Sequence, residues 1–168
     1  MSKRDIVIIP DQILKQVSIP VEAVTDAERA LFDDMLETMY EAPGIGLAAV
    51  QIGIPKRMLT MDVSGEEEEK SPICMANPEI IWASEELSEY EEGCLSIPDI
   101  YENVTRPAEV KVRYLDYQGA QQEIHCTGLL ATCVQHEIDH LNGVLFIDHL
   151  SRLKRERVVK KFIKAAKH

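Results

Sequence analysis

The chain has 168 residues, of which 45% are hydrophobic and only 8 are Gly and 8 are Pro. This composition predicts one globular domain over residues 1–168. The net charge of -11 argues against free DNA as a partner. The apolar run Ile6–Ile9 ends at Pro10 and is too short for a signal peptide or a membrane span. We therefore expect a cytoplasmic protein in which four cysteines remain thiols, as core residues or metal ligands: Cys74, Cys94, Cys126 and Cys133.

The first part of the chain predicts one amphipathic helix. Residues Asp5–Ile9 could form an edge strand, and residues 10–20 are predicted to be irregular. Thr25 and Glu28 have the spacing of a capping box, and apolar residues then recur at helical intervals until Pro43. The pattern predicts a helix from Asp26 to about 41, with its apolar stripe in the core.

A glycine-containing segment, GIGLAAVQ at residues 44–51, follows this helix. Gly44 and Gly46 allow the backbone to come close to another group. The segment lacks the third glycine of a dinucleotide-binding fingerprint and the Lys-Ser/Thr pair of a P-loop, so it does not indicate phosphate binding. Taken alone, it predicts a helix-to-strand turn.

The middle of the chain predicts several short strands separated by turns. The acidic run at residues 66–70 is expected to be a solvated loop. The order of helix, mostly antiparallel strands and helix favours an α+β fold. The predicted strands are Lys56–Val63, Ile73–Asn77, Ile80–Ala83, a segment at 110–114, and about 121–126.

The next helix, predicted at residues 128–141, is apolar nearly all round and is therefore expected to be buried. It contains His136-Glu137-Ile138-Asp139-His140. Helical geometry places His136 and His140 on one face, where both imidazoles can bind one metal ion. Glu137 can reach a water molecule activated by that ion, as a general base. The H-E-x-x-H pattern is short, but its charged groups are costly to bury without a partner such as a metal.

Residues 151–168 predict a last helix with a strongly basic face. The segment has eight basic residues and a single acid, Glu156, whereas residues 1–150 are acidic overall. Its apolar residues fall on one side, so the helix is expected to pack on the domain and to expose its basic side to water. That face is either an ordinary solvated surface or a binding surface.

A catalytic metal site of this kind has three protein ligands and one open position, so a third ligand is needed. A glutamate on a following helix, as in gluzincins, could only be Glu156. The metzincin pattern requires a histidine at position 146, where this chain has Phe146. Cys133 is expected on the wrong side of its helix. Cys94 remains as the candidate.

Three segments resemble the signature motifs of the peptide deformylase family, in the family's order and at its usual separations. They are GIGLAAVQ at 44–51, EGCLS at 92–96 and QHEIDH at 135–140. The resemblance extends over most of residues 5–160, and the EGCLS form is that of the bacterial and organellar enzymes. It implies a hydrolase that removes the formyl group from the N-terminal methionine of nascent chains.

The resemblance also implies a metal centre. Cys94, His136 and His140 would bind one divalent ion, natively Fe²⁺ in this family, with Zn²⁺, Ni²⁺ or Co²⁺ able to replace it. A thiolate with two imidazoles suits either zinc or ferrous iron, and the order of metal affinities alone does not choose between them.

The roles of further residues follow from the same resemblance. Glu137 would take a proton from the attacking water and return it to the leaving amine. The side-chain amide of Gln51 and the backbone N–H of Leu95 would donate hydrogen bonds to the oxyanion. The residues expected to contact the substrate peptide or its methionine side chain are Ile45, Gly46, Glu92, Gly93, Leu129 and Cys133.

Two questions about partners stay open at this stage. Some family members dock on the ribosome through a basic C-terminal helix, which implies the ribosome as a partner for residues 152–168 here. Many members have an arginine shortly after the cysteine motif, where this chain has Tyr101 and reaches Arg106 only later. The alternatives to a deformylase are a metallopeptidase with the same H-E-x-x-H chemistry, or a ribosome-associated binding module whose metal is structural or absent.

Overall fold

The computed structural model describes residues 2–166. Met1, Lys167 and His168 lie outside the described residues, and with them the end of the predicted C-terminal helix. No helix in the described range combines the length and apolar character needed to span a membrane. The helices are α1 (Asp26–Glu41), α2 (Gly128–Leu141) and α3 (Arg152–Ala166), with short 3-10 helices at Gln12–Lys15, Ala49–Ile52 and Phe146–His149. The strands are β1 (Gly46–Ala48), β2 (Met58–Met61), β3 (Ile73–Ala83), β4 (Leu87–Cys94), β5 (Ile97–Pro107), β6 (Val110–Leu115) and β7 (Gln121–Cys126).

Two antiparallel sheets carry the fold. Five strands form one sheet in the order β1-β2-β3-β6-β7, and β4 pairs with β5 in a two-stranded sheet. On β2, Leu59 packs in the cluster that contains α2 residues, whereas its neighbour Met58 packs in the cluster that contains α1 residues. Because consecutive strand residues face opposite sides, the five-stranded sheet lies between α1 and α2. This arrangement confirms the α+β prediction.

Helix α1 has the predicted bounds. Glu28 accepts a hydrogen bond from the Thr25 backbone N–H at 2.9 Å, as a capping box requires. Its apolar stripe is in the core, where Phe32, Met35 and Met39 are fully buried. Local sequence signals therefore determined both ends of this helix and its buried face.

The N-terminal segment is not the predicted edge strand. The Val7 N–H donates to the Gln51 carbonyl at 2.7 Å, and the Ile9 N–H donates to the Ser96 carbonyl at 3.0 Å. The two bonds go to different elements, so residues 5–9 form no ladder with a single strand. They tie the 3-10 helix after β1 to the turn between β4 and β5.

Strand β3 corrects the prediction of two strands broken at Asn77-Pro78. The strand continues from Ile73 to Ala83, and the break becomes an irregularity in its pairing with β6 between Ala76 and Glu79. Asn77 has φ 50, and its side chain exchanges two hydrogen bonds of 2.9 Å with the Val21 backbone. Asn is one of the few residues that tolerate this conformation, so the strand accommodates the bend without ending. Strand β2 is shorter than predicted, since its ladders cover only Met58–Met61, while Lys56 pairs with Ile19 in an isolated parallel bridge.

The hairpin β4–β5 was not predicted, although it supplies the third candidate ligand. Its outward positions are mostly charged or polar, so the sequence lacks the runs of branched apolar residues that indicate strands. The register shifts between Glu92 and Cys94, where Gly93 lies, and Cys94 then pairs with Ile97 across a two-residue turn. The hairpin places Cys94 beside α2.

Helix α3 packs on the domain as expected, though by a narrow stripe. Val158 is buried and Val159 and Phe162 are half-buried against a cluster that includes Phe146, whereas Ile163 remains 42% exposed. Within the described residues, the lysines of its outer face are exposed. The basic side of the helix therefore faces water.

Gly143, the second residue after the end of α2, provides a test of how that helix ends. Gly143 has φ +74, and a Cβ there would meet the Lys15 carbonyl oxygen and lie 2.8 Å from the Lys15 carbonyl carbon. We expect Gly143→Ala to lower the free energy of unfolding by about 2–4 kcal/mol, from strain and from displacement of the Lys15 backbone. Urea denaturation measures the loss.

Gly53 is the matched control, because it has φ +84 but a Cβ there would have no neighbour within 4 Å in the described part of the chain. Gly53→Ala should cost about 1–2 kcal/mol, from conformation alone. Equal losses in the two variants would contradict the expected clash with Lys15.

Candidate metal centre

Helix α2 brings the two histidines together inside the domain. His136 and His140 are 8% and 0% exposed, and their ring centroids are 5.0 Å apart. Cys94, at the end of β4, has its Sγ 3.3 Å from His140 Nε2. The ligand atoms of the three residues all lie within 4.8 Å of one another. The fold thus assembles the three predicted ligands from two distant parts of the chain.

The donor set and its spacing fit one metal ion. Bonds of about 2.0–2.3 Å in a tetrahedral site place neighbouring ligand atoms about 3.3–3.8 Å apart, close to the separation of Cys94 Sγ and His140 Nε2. Burial lowers the pKa of His140 well below its ordinary value, which favours the neutral imidazole that binds metals. Three protein ligands leave one position open, which is the arrangement of catalytic rather than structural sites.

Two other residues considered as ligands lie elsewhere. Glu156 is on α3, where its exposed side chain pairs with Arg152 at 2.9 Å. Phe146 stacks on the His136 ring, with centroids 5.9 Å apart and planes inclined by 25°. An aromatic ring therefore lies against the histidine at the position that a metzincin would use for its third ligand.

Glu137 follows the first histidine and is 4% exposed. Its Oε1 atom is buried and has no hydrogen-bond partner among residues 2–166. Burial raises the pKa of Glu137 to about 7, against the opposing effect of His136. A carboxyl group with such a pKa can both take and release a proton near neutral pH.

The amide of Gln51 is held in one orientation beside Cys94. Its Oε1 accepts the Ala48 N–H at 2.9 Å, and its Nε2 donates to Ser96 Oγ at 3.0 Å and to Cys94 Sγ at 3.5 Å. Leu95 occupies the turn between Cys94 and Ser96. The amide is therefore fixed with its N–H groups toward the cysteine, the orientation in which it can act as a donor. Ser96 is a neighbour that the sequence did not single out.

A cavity of about 860 Å³ opens beside these groups. Gly46 forms its wall next to Glu137, and a Cβ at this glycine would lie 2.5 Å from Glu137 Oε2 and 2.9 Å from Cys133 Sγ. Only glycine allows β1 to pass so close to the carboxylate. The lining includes every residue expected to bind substrate, together with the expected catalytic groups: Ile45, Gly46, Gln51, Glu92, Gly93, Leu95, Leu129, Cys133 and Glu137.

Cys133 is both a core residue and a cavity wall. It is 4% exposed, and its thiol donates to the Ile45 carbonyl at 3.6 Å. Leu129, one turn earlier on α2, is 42% exposed and also lines the cavity. Tyr101 stands on the opposite hairpin, 63% exposed, with its ring against Gly93, where a Cβ would lie 2.6 Å from the ring. Tyr101 thus places an aromatic ring near the cavity mouth.

A buried ion pair behind the histidines was not predicted. Arg106, 5% exposed, donates from Nε to Glu92 Oε2 at 2.7 Å and from Nη2 to Glu92 Oε1 at 2.9 Å. Glu92 Oε1 lies 3.0 Å from His136 Nδ1, and Arg106 Nη1 donates to Asp139 at 2.8 Å. Both oxygens of Glu92 are therefore engaged by the protein, which leaves the backbone of Glu92 for the expected contact with substrate.

The pKa values of this pair keep both groups charged. Burial would raise the pKa of Glu92, but hydrogen bonds from Arg106 and His136 hold it below its ordinary value. Burial would likewise lower the pKa of Arg106, but Glu92 and Asp139 raise it. Helical spacing put Asp139 near the ligands and could have indicated its role. Arg106 gave no such signal, because it lies on a strand that was not predicted.

Comparison with known proteins places the chain in a family. The family model for polypeptide deformylase matches residues 3–156. The chain is 63% identical over 167 residues to a peptide deformylase of Phenylobacterium zucineum, with 99% of each sequence covered. The crystal structure of peptide deformylase from Ehrlichia chaffeensis superposes with a TM-score of 0.93 at 43% identity and covers 99% of this chain and 98% of that one.

A further crystal structure carries a bound peptide. It is the Met-Ala-Ser bound class I type b peptide deformylase from Acinetobacter baumannii, with a TM-score of 0.84 at 38% identity, covering 89% of this chain and 100% of that one. With the family model covering most of the chain, and the three ligand residues together beside a peptide-sized cavity, the chain belongs to the polypeptide deformylase family, hydrolases that remove the formyl group from the N-terminal methionine of nascent polypeptides.

Proposed function

We propose that Cys94, His136 and His140 hold one divalent metal ion at which the formyl amide is cleaved. The support is the closeness of their ligand atoms, all within 4.8 Å, and the cavity that Cys94 and His136 line. A bound divalent ion would supply a positive charge that lowers the pKa of a water molecule and polarises the formyl carbonyl. The remaining steps belong to the side chains and backbone around it.

In the proposed reaction, Glu137 takes a proton from the attacking water and gives it to the amine nitrogen as the bond to the formyl carbon breaks. Its pKa, raised to about 7 by burial, suits both transfers. Gln51 Nε2 and the Leu95 backbone N–H donate to the oxyanion that develops on the formyl oxygen. Formate and a peptide with a free amino terminus are the products.

The peptide is proposed to lie along the cavity wall formed by Ile45 and Gly46, with the backbone at Glu92 and Gly93 on the other side. Leu129 and Cys133 would contact the methionine side chain, because an apolar pocket favours an unbranched, polarisable group. The Met-Ala-Ser peptide bound to the Acinetobacter relative supports a substrate that extends beyond its methionine. Such nascent chains are made in the cytoplasm, where we propose that the enzyme acts.

One observation carries the assignment of the base: Glu137 Oε1 is buried, without a partner among the described residues, and its residue lines the same cavity as Cys94 and His136. The direct test is formate release from N-formyl-Met-Ala-Ser by anaerobically purified protein, with metal content measured in the same sample. We expect release in proportion to bound metal, loss on chelation and recovery on adding back metal. N-acetyl-Met-Ala-Ser and free Met-Ala-Ser serve as controls. Fully metallated protein that releases no formate, or that cleaves free Met-Ala-Ser, would contradict the proposal.

The native ion is proposed to be Fe²⁺, with Zn²⁺, Ni²⁺ or Co²⁺ able to replace it. A thiolate with two imidazoles accepts all four ions, so availability and oxygen exposure decide which is found. Protein purified without oxygen should contain iron and lose activity in air, whereas Ni²⁺- or Co²⁺-loaded protein should retain activity. Stable activity of the iron form in air would contradict this assignment.

The ribosome is the second proposed partner, bound through the basic face of α3. Lys160, Lys161 and Lys164 are exposed, and a contact made by such side chains with phosphates weakens steeply with salt. Changing all three to Glu should reduce co-sedimentation with ribosomes by at least about tenfold at moderate salt, while formate release from a short peptide stays unchanged.

The matched control makes the same change in charge on the domain body. Lys70, Lys111 and Arg113 are also exposed, and changing these to Glu should leave co-sedimentation close to that of the original protein. If co-sedimentation with ribosomes fell equally in the two triple variants, the effect would be due to net charge. Unchanged co-sedimentation of the α3 variant, like that of protein truncated before Arg152, would rule out docking through α3.

A further inference from the structure

A continuous path of hydrogen bonds runs from the proposed metal ligand His136 to the end of the 3-10 helix before α3. Beyond Glu92 and Arg106, the Asp139 Oδ2 atom that accepts from Arg106 also lies 2.8 Å from His149 Nε2. We call Glu92, Arg106, Asp139 and His149 the Arg106 network. The proposed chemistry does not use Arg106, Asp139 or His149, so their arrangement requires another explanation.

Burying the charged groups of this network costs free energy, which a role in the neighbouring site would explain. The side chains of Arg106 and Glu92 are only 5% and 4% exposed. Taking such charges out of water is expensive, and well-packed apolar residues often stabilise a fold as much as a buried ion pair does. A buried ion pair is therefore weak evidence that the network only stabilises the fold. It points instead to a need for charged groups in a defined geometry at this position.

The charges of the network complement those of a metal centre. One guanidinium faces two carboxylates, which leaves one excess negative charge. A divalent ion bound by the Cys94 thiolate and two neutral imidazoles has one excess positive charge. The negative charge of the network would therefore favour a bound divalent ion electrostatically, in an environment where uncompensated charge is costly.

The geometry of the Arg106 network determines the tautomer and the orientation of the His136 ring. Glu92 Oε1, 3.0 Å from Nδ1, can accept the Nδ1–H, which leaves the Nε2 lone pair for a metal. Arg106 contacts both oxygens of Glu92, so the carboxylate cannot rotate away from the ring. Asp139 in turn holds the third guanidinium nitrogen, and His149 holds Asp139.

We propose that Arg106 is a positioning residue for the metal centre: by clamping Glu92 it fixes the tautomer and orientation of His136, while Asp139 and His149 hold the guanidinium in place. This inference rests on the proposed ligand set. It assigns to Arg106 a contribution to metal affinity, although the hydrogen bonds of Arg106 within residues 2–166 go to Glu92 and Asp139 rather than to the three ligands.

The primary test is Arg106→Lys, which keeps the charge but cannot contact both Glu92 oxygens and Asp139 at once. We expect the affinity for Co²⁺ or Zn²⁺, measured by competition with a chelator on anaerobic apoprotein, to fall by about 10- to 100-fold. The visible spectrum of the Co²⁺ form should change, because the orientation of one ligand ring has changed. Arg113→Lys is the control, since Arg113 pairs with Glu123 on an exposed part of β6 and β7. Metal affinity and a Co²⁺ spectrum equal to those of the control would overturn the proposal.

A double-mutant cycle tests whether Arg106 acts through Glu92. In Glu92→Gln, the side-chain carbonyl can still accept from His136, but the ion pair with Arg106 is gone. Adding Arg106→Lys to this variant should then cost less than about threefold in metal affinity, because the interaction it disrupts is already absent. An equal loss in both backgrounds would overturn the proposed path through Glu92.

His149→Ala keeps the proposal testable if the Arg106 variants do not fold. His149 lies at the exposed end of the network, with a side chain 37% exposed, and its removal leaves the buried pair intact. We expect a loss of metal affinity of about two- to fivefold, equivalent to at most one hydrogen bond. No loss in this variant would overturn the part assigned to His149 and, with unfolded Arg106 variants, the proposal itself. Because the readout is metal binding, failure of formate release in the original protein would contradict the proposed function without affecting this result.

Discussion

Glu137→Gln is expected to lower kcat for formate release by about 10²- to 10⁴-fold while the protein keeps its metal. The amide has the same shape as the carboxylate, so it fits beside Gly46, but it cannot take a proton from water. Glu137 Oε1 has no hydrogen-bond partner in residues 2–166, so the change breaks no bond that supports the fold. Steady-state kinetics with N-formyl-Met-Ala-Ser, together with metal analysis of the same sample, measures both quantities.

Glu91→Gln is the matched control for that variant. Glu91 also lines the cavity but is exposed at its edge. The same loss of one negative charge there should change kcat by less than about threefold, since exposed charges interact weakly with the site. Activity of Glu137→Gln close to that of this control would show that another group moves the proton.

Gln51→Ala is expected to lower kcat by about 10²- to 10³-fold with little change in KM. In the proposed role, the amide N–H groups stabilise an oxyanion that exists only as the reaction proceeds, so their loss should affect turnover more than binding. The variant also leaves the Ala48 N–H without its 2.9 Å acceptor, and a loss of stability of about 1–3 kcal/mol should accompany the kinetic effect.

Ser96→Ala separates the orientation of the Gln51 amide from the presence of its N–H donors. Ser96 Oγ accepts from Gln51 Nε2 at 3.0 Å, so its removal loosens the amide but leaves the donor in place. We expect a loss in kcat of less than about tenfold from this change. A Gln51→Ala variant whose main effect is on KM would contradict the oxyanion role and assign Gln51 to peptide binding.

The alternatives left open by the sequence differ in how they fit the site. A metzincin would need a histidine where Phe146 stacks on His136, and a gluzincin would need Glu156, which lies exposed on α3. A binding module without catalysis would have no use for an unpartnered, buried carboxylate beside the ligands. The family to which the chain belongs accounts for all three features.

Local patterns in the sequence determined the two helices that frame the site. The signals for α1 are its capping residues and the spacing of its apolar residues. The signals for α2 are its apolar residues on all sides and the glycine after its C-terminus. Each set lies within one stretch of chain, so the amino-acid order alone predicts both helices. The same applies to His136, Glu137 and His140, whose relative placement follows from helical geometry alone. The three motifs together, compared with a known family, supplied Cys94 and Gln51 as well.

Only the tertiary structure determined which residues from distant parts of the chain come together at the site. Strands β4 and β5 depend on cross-strand pairing rather than on their own propensity, so a mostly polar sequence concealed them. Arg106 gained its role only when that hairpin brought it against α2, and the same contact engaged both oxygens of Glu92. Helical periodicity is a local property that one segment carries by itself, whereas an ion pair buried between a hairpin and a helix exists only once both have packed. The sequence thus determined which side chains α2 contributes to the site, and the packing of the hairpin against that helix decided how they are held.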